Sequence, residues 1–229
     1  MLNINVHRNI LLQILKDIYS DIELGPLLGF KGGTAAYLFY QLNRFSVDLD
    51  FDLLDAAKEE TVFDKISAVL STYGQIKDSQ HKRYTIFFLM SYHHDAYNIK
   101  VEISRRHFGS SYETKNYLGI PMLVMLRPDM FAHKLVAMIE REGSAHRDIY
   151  DIWFFLKNSW PINSVIVEKR MQVLFVEAVQ QCVTILEKLS DRHILSGIGE
   201  LLTDEQKRWA KANLRQETIF LLKTQFLQL

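Results

Sequence analysis

Asp48, Asp50 and Asp52 alternate with Val47, Leu49, Phe51 and Leu53 in the run VDLDFDLL. Residues two apart in a β-strand project to the same face, so this spacing sends the apolar side chains one way and three carboxylates the other. The apolar set must face a core. The carboxylates then stand together, and their repulsion disfavours full ionisation unless a cation or solvent compensates. Magnesium is a suitable cation, a hard ion that takes one or two carboxylates and fills its other positions with water and phosphate oxygens. Taken alone, the alternation fits a solvated sheet edge equally well.

A second feature precedes the first. Gly32 and Gly33 follow the short apolar run LLGFK and lead into Thr34, an N-cap residue type, at the head of AAYLFYQL. Unencumbered backbone N–H groups at the positive end of a helix suit a bound phosphate. A phosphate cradle leading through one helix and a turn into a strand of carboxylates combines anion binding with metal binding. In the turn, Arg44 and Ser46 can reach phosphate or cap the backbone, and capping is the favoured role for Ser46. Further on, Glu102 in YNIKVEIS shares a strand face with Lys100 and Ser104, while Ile99, Val101 and Ile103 point inward. Glu102 is either a third carboxylate, taking a proton from an attacking hydroxyl or completing a two-metal site, or a surface partner of Lys100.

These residues need a sheet and a helix to hold them. Apolar spacing at Ile10, Leu11, Ile14, Leu15 and Ile18 predicts a helix over residues 7–20, and the pattern then gives a strand ending at the glycines, a helix from Thr34 to Leu42, the acidic strand, and a helix from Glu60 to Tyr73. Two strands follow, YTIFFLMSY and YNIKVEIS, joined by a loop at His93-His94-Asp95 or close to it. The expected class is α+β, a mixed sheet flanked by helices over roughly residues 25–125. After Pro128 the periodicity becomes helical in FAHKLVAMIE, RDIYDIWFFL, SVIVEKRMQVLFVEAVQQCVTILEKL and TDEQKRWAKANLRQETIFLLKTQFL. The division expected is a sheet domain over 1–127 and an all-helical domain over 128–229.

The helical part carries its own charges. Ile149, Ile152, Trp153 and Leu156 form a buried stripe, with Asp148 and Asp151 along one border. Lys134 and Arg141 line the edge of the preceding apolar face. By spacing alone these groups read as an interhelical salt-bridge set, with Arg147 and Asp151 an i, i+4 pair. Three other groups are given little weight or left open. His93, His94 and Asp95 are adjacent in an expected hairpin loop, where neighbouring side chains diverge. Lys207, Lys211 and Arg215 repeat along a helix face that reads as solvated. Arg105-Arg106-His107 follows the Glu102 strand and is left open between an RNA contact and a surface role.

Together, Gly32-Gly33-Thr34, the run Arg44-Phe45-Ser46-Val47-Asp48-Leu49-Asp50-Phe51, then His133-Lys134-Leu135 and Arg147-Asp148-Ile149-Tyr150-Asp151-Ile152 resemble the AbiEii/AbiGii family of nucleotidyltransferase toxins from abortive-infection and toxin–antitoxin systems. The resemblance covers about residues 28–156. It implies a polymerase-β-like palm, a magnesium-bound nucleoside triphosphate, and nucleotide transfer to an acceptor, in several members the 3′ end of tRNA. Carried over by position, Gly33 and Thr34 hold triphosphate oxygens, beside Gly32, Arg44 and Ser46 as further nucleotide-side candidates. Asp48 and Asp50 bind the metal, and Lys134, Asp148 and Asp151 match downstream charged motifs. A cognate antitoxin is the implied protein partner. Positioning and charge neutralisation supply most of the catalysis in such a transfer.

Composition narrows the rest. Lys plus Arg and Asp plus Glu each count 27, so no global charge draws the chain to nucleic acid or anionic lipid. Cys182 is the only cysteine and sits in a helix-core run, consistent with a reducing compartment. No apolar stretch approaches the roughly 20 residues of a membrane span, and the amino terminus lacks a signal-peptide pattern, so a cytoplasmic protein is expected. Two other functions stay open: a nucleotidyltransferase that modifies a small hydroxylated molecule or a protein side chain, and a non-catalytic nucleotide- or partner-binding module.

Overall fold

The computed structural model describes residues 3–92 and 98–227. Its fold is α+β, with a seven-stranded mixed sheet and eight α-helices among the described residues. Contacts divide the chain into two compact units, one of residues 1–41, 45–107 and 111–125, the other of residues 42–44, 108–110 and 126–229.

The first unit holds the sheet. Its elements are α1 (Ile4–Ser20), β1 (Leu28–Lys31), α2 (Gly32–Phe39), β2 (Leu49–Leu53), α3 (Glu59–Tyr73), β3 (Gln75–Lys82), β4 (Thr85–Ser91), β5 (Asn98–Ser104), β6 (Tyr112–Tyr117) and β7 (Ile120–Met125), with strand order β3-β4-β5-β2-β1-β7-β6. The acidic strand β2 is central, antiparallel to β1 and parallel to β5. Register matches Leu49 with Val101 and Phe51 with Ile103, and β4 sets Phe88 opposite Val101 and Ile86 opposite Ile103. All six side chains are fully buried. Tyr19 of α1 touches Phe51, and Phe63 of α3 packs on Phe88, so α1 and α3 cover this apolar face. The same register forces Asp50 and Glu102 side by side on the opposite face.

Three strands go beyond the sequence expectation. β3, QIKDSQHK, pairs only with β4 at the sheet edge and is mostly exposed, so no buried face imposes an alternation on it. β6 and β7 form a hairpin closed by Leu118 and Gly119, both at positive φ (50° and 84°), the backbone that a tight two-residue turn requires. The helix expected from Thr34 begins instead at Gly32, which takes φ +78°. Thr34 is therefore the third helical residue rather than the cap, and its hydroxyl donates to the Asp48 carbonyl.

The second unit contains α4 (Arg127–Glu140), α5 (His146–Lys157), α6 (Ser164–Met171), α7 (Phe175–Lys188) and α8 (Asp204–Phe226). The long helical run from Ser164 divides in two because Gln172 adopts a left-handed cap (φ 57°). Every residue of α5 from Asp148 to Leu156 is buried, so its aspartates are enclosed and not at a rim. Cys182 is buried in α7, where burial pushes its thiol well above the ordinary value and keeps it un-ionised.

Candidate functional site

Two clusters of charge stand out, one in each unit. On the sheet face opposite the apolar one, Lys100 lies between Asp48 and Glu102, its Nζ 3.6 Å from Asp48 Oδ2 and 3.4 Å from Glu102 Oε2, with Asp50 beside Glu102 in register. Burial raises the Asp50 carboxyl above its ordinary range; the neighbouring Asp48 and Glu102 charges raise it further, and Lys100 and Lys31 work against them. Asp52, the third member of the alternation, is taken up elsewhere. Its Oδ1 receives Lys31 Nζ at 2.5 Å and its Oδ2 receives Tyr112 Oη at 2.5 Å. Tyr112 crosses β1 at Gly29, where a Cβ would lie 2.2 Å from its ring. Neither Lys31 nor Tyr112 was legible as part of this face, because the β1–β2 register that brings Lys31 beside Asp50 is not written in either strand alone.

The glycine turn adjoins the carboxylates. A Cβ on Gly32 would sit 2.4 Å from Asp50 Oδ2, and its positive φ already disfavours any other residue. Thr34 ties the first turn of α2 to the backbone of Asp48, and His7 holds the preceding carbonyl, with Nε2 3.0 Å from Val47 O and Nδ1 2.9 Å from Tyr92 Oη. Burial lowers the His7 pKa, so the neutral ring donates from Nε2 and accepts at Nδ1. Gly32→Ala is expected to cost about 1–3 kcal/mol of stability, with Asp50 displaced. Urea unfolding of the variant checks this, and an unchanged midpoint would count against the tight approach.

The donor set fits a hard divalent cation: carboxylate oxygens from adjacent strands, one of them raised by burial and like charge, beside the first turn of α2. Asp48 and Asp50 would hold it. Among the described residues, a tighter group of ligand atoms occurs at Glu59, Glu60 and His81, all within 4.8 Å of one another. There Glu59 Oε1 is engaged by Arg105 at 2.8 Å and by His81 Nδ1 at 2.9 Å, the arrangement of a surface ion-pair cluster.

In the helical unit, Arg44, Lys134 and Arg141 meet Asp148 and Asp151. Arg44 grips Asp151 through Nε and Nη2 at 2.6 and 2.7 Å; Lys134 Nζ lies 2.9 Å from Asp148 and 3.0 Å from Asp151; Arg141 reaches Asp148 at 2.8 Å. Both aspartates and Arg44 are buried. Burial works against ionisation of Asp148, but Lys134 and Arg141 hold its carboxyl below the ordinary value. Burial likewise opposes the Lys134 charge, and the two aspartates more than offset it, so its pKa is raised. The sequence pattern placed Arg44 with Ser46 in one turn; in the structure Arg44 belongs with α5, and Ser46 is buried in the loop before β2. His93, His94 and Asp95 lie outside the described residues.

A serine–histidine pair in the same unit lacks the polarity of a nucleophile and its base. Arg170 Nη1 donates to His133 Nδ1 at 2.8 Å, so the proton of a neutral ring is on Nε2, which faces Ser110 Oγ at 2.7 Å.

The model of the nucleotidyl transferase AbiEii toxin family, of type IV toxin–antitoxin systems, matches residues 13–217. The chain belongs to that family. It is thus a nucleotidyltransferase toxin by descent, and the match runs through both units. In fold it is similar to a crystal structure of a candidate nucleotidyltransferase from H. pylori, with a TM-score of 0.52 at 18% identity over 96% of each chain. JHP933 from Helicobacter pylori is also similar, with a TM-score of 0.55 at 17% identity over 98% of this chain and 96% of that one. No curated protein is significantly similar in sequence. Among the described residues no helix is long and apolar enough to cross a membrane.

Proposed function

We propose that the chain transfers a nucleotide from a magnesium-bound nucleoside triphosphate to an acceptor hydroxyl, with RNA, and first of all the 3′ end of tRNA, as the acceptor. The observation that carries this is the closeness of the Gly32 turn to Asp50, with Asp48 tied to the same helix through Thr34. It supports reading the sheet as a polymerase-β-like palm, with triphosphate oxygens at the backbone of Gly32, Gly33 and Thr34. Magnesium on Asp48 and Asp50 would supply charge neutralisation at the phosphates. The acceptor oxygen bonds to the α-phosphorus as the bond to the departing pyrophosphate breaks, and Glu102, beside Asp50 in register, takes the hydroxyl proton. Lys134, Asp148 and Asp151, which match the family's downstream charged motifs, pair with one another within the helical unit. A cognate antitoxin and a cytoplasmic setting go with this reading.

The test is to incubate the protein with each labelled triphosphate, magnesium and a cell extract containing RNA. Label in RNA is the expected result. Label confined to small molecules or to protein would replace the acceptor, and triphosphate binding without any transfer would favour a non-catalytic module.

A further inference from the structure

Lys100 stands where a cation is wanted. The β2–β5 register, Leu49 with Val101 and Asp50 with Glu102, continues to bring Asp48 beside Lys100, and the ammonium sits between Asp48 and Glu102 at 3.6 and 3.4 Å. Opposite Lys100 and Glu102 on β4 stand Leu89 and Phe87, so that strand adds no carboxylate there. The other nearby cation, Lys31, is drawn to Asp52. Asp48, Asp50 and Glu102 are not gathered to within the 4.8 Å spacing seen at Glu59, Glu60 and His81.

We propose that Lys100 is a resident counter-ion that occupies the acidic face until a divalent cation arrives with the nucleotide. The proposal rests on reading Asp48 and Asp50 as cation ligands. An ion bound to Asp48 would lie a few ångströms from Nζ, where like charges repel strongly, so ion and ammonium exclude each other. The Lys100 side chain is 26% exposed and long enough to turn away. A triphosphate changes the balance, because its negative charge accommodates both the ion and the displaced ammonium. Cation and nucleotide therefore bind with positive coupling, and the metal-free face is held together meanwhile. Lys100 is on this account a positioning residue, acting through the carboxylates.

Manganese titration followed by the electron paramagnetic resonance of the free ion, without nucleotide, tests this. Lys100→Gln is expected to bind manganese about tenfold more tightly than the native protein, Lys100→Arg to behave as native, and Asp48→Asn/Asp50→Asn to lose binding. Equal affinities for the native and Lys100→Gln proteins, with binding still lost in the double variant, would overturn the counter-ion role and leave the cation site standing. Binding that survives in the double variant would overturn the cation site and the counter-ion role with it.

Discussion

Asparagine at position 50 is expected to lower nucleotide transfer by about a thousandfold, about 4 kcal/mol of transition-state stabilisation, while making the metal-free protein more stable. The two effects share one cause. Asp50 lies against the Gly32 turn, its carboxyl raised by burial and then by Asp48. A carboxyl whose folded pKa exceeds its unfolded value binds more protons in the folded state, so it costs nothing at pH below the unfolded value and costs stability as pH rises above it. The amide cannot ionise and escapes that cost, but it offers a cation only a neutral oxygen. Transfer assays and urea unfolding at neutral pH, both metal-free and with magnesium, measure the two sides. Loss of activity with a raised midpoint is expected; loss of both would point to a structural role for Asp50.

The second large effect is on folding. Asp151→Ala should destabilise the protein by about 3–5 kcal/mol, because it leaves the Arg44 guanidinium, only 3% exposed, without its bidentate partner. A paired replacement, Arg44→Met with Asp151→Leu, should recover most of that loss, since a well-packed apolar pair avoids both desolvation costs. A drop in the urea midpoint at unchanged slope would report this. Asp148 adds a pH signature: its depressed carboxyl contributes stability above the unfolded value, and that contribution is lost as pH falls through the folded one. Asp148→Asn should be weaker at neutral pH and flatter in acid. If Asp151→Ala left the midpoint in place, the network would not be holding the helices.

How much of this was readable from the chain follows from what burial imposes. The alternation in NIKVEIS survives as alternating burial because α1 and α3 cover one face only, whereas in LDFDL Asp52 is itself buried, engaged by Lys31 and Tyr112. Strand β3 carries no such imprint, being wet on nearly every side, and was missed. Thr34 looked like a cap because its residue type suits one, yet the helix already begins at Gly32, whose positive φ no side-chain pattern encodes. The burial of Asp148 and Asp151 was hidden for another reason. Periodicity marks the apolar stripe, but the partner that lets Asp151 go inside, Arg44, comes from a loop far away in sequence. Cross-strand neighbours such as Lys31 and Asp52 depend on register in the same way.

If Asp48 and Asp50 hold a cation against a triphosphate seated on the glycine turn, nucleotide binding depends on both the metal and the two carboxylates. Binding of a fluorescent, non-hydrolysable nucleoside triphosphate, titrated with and without magnesium on the native protein and on Asp48→Asn/Asp50→Asn, tests it most directly. Tight binding only to the native protein with magnesium is the expected result. Nucleotide affinity that ignores both the metal and the loss of the two carboxylates would contradict it.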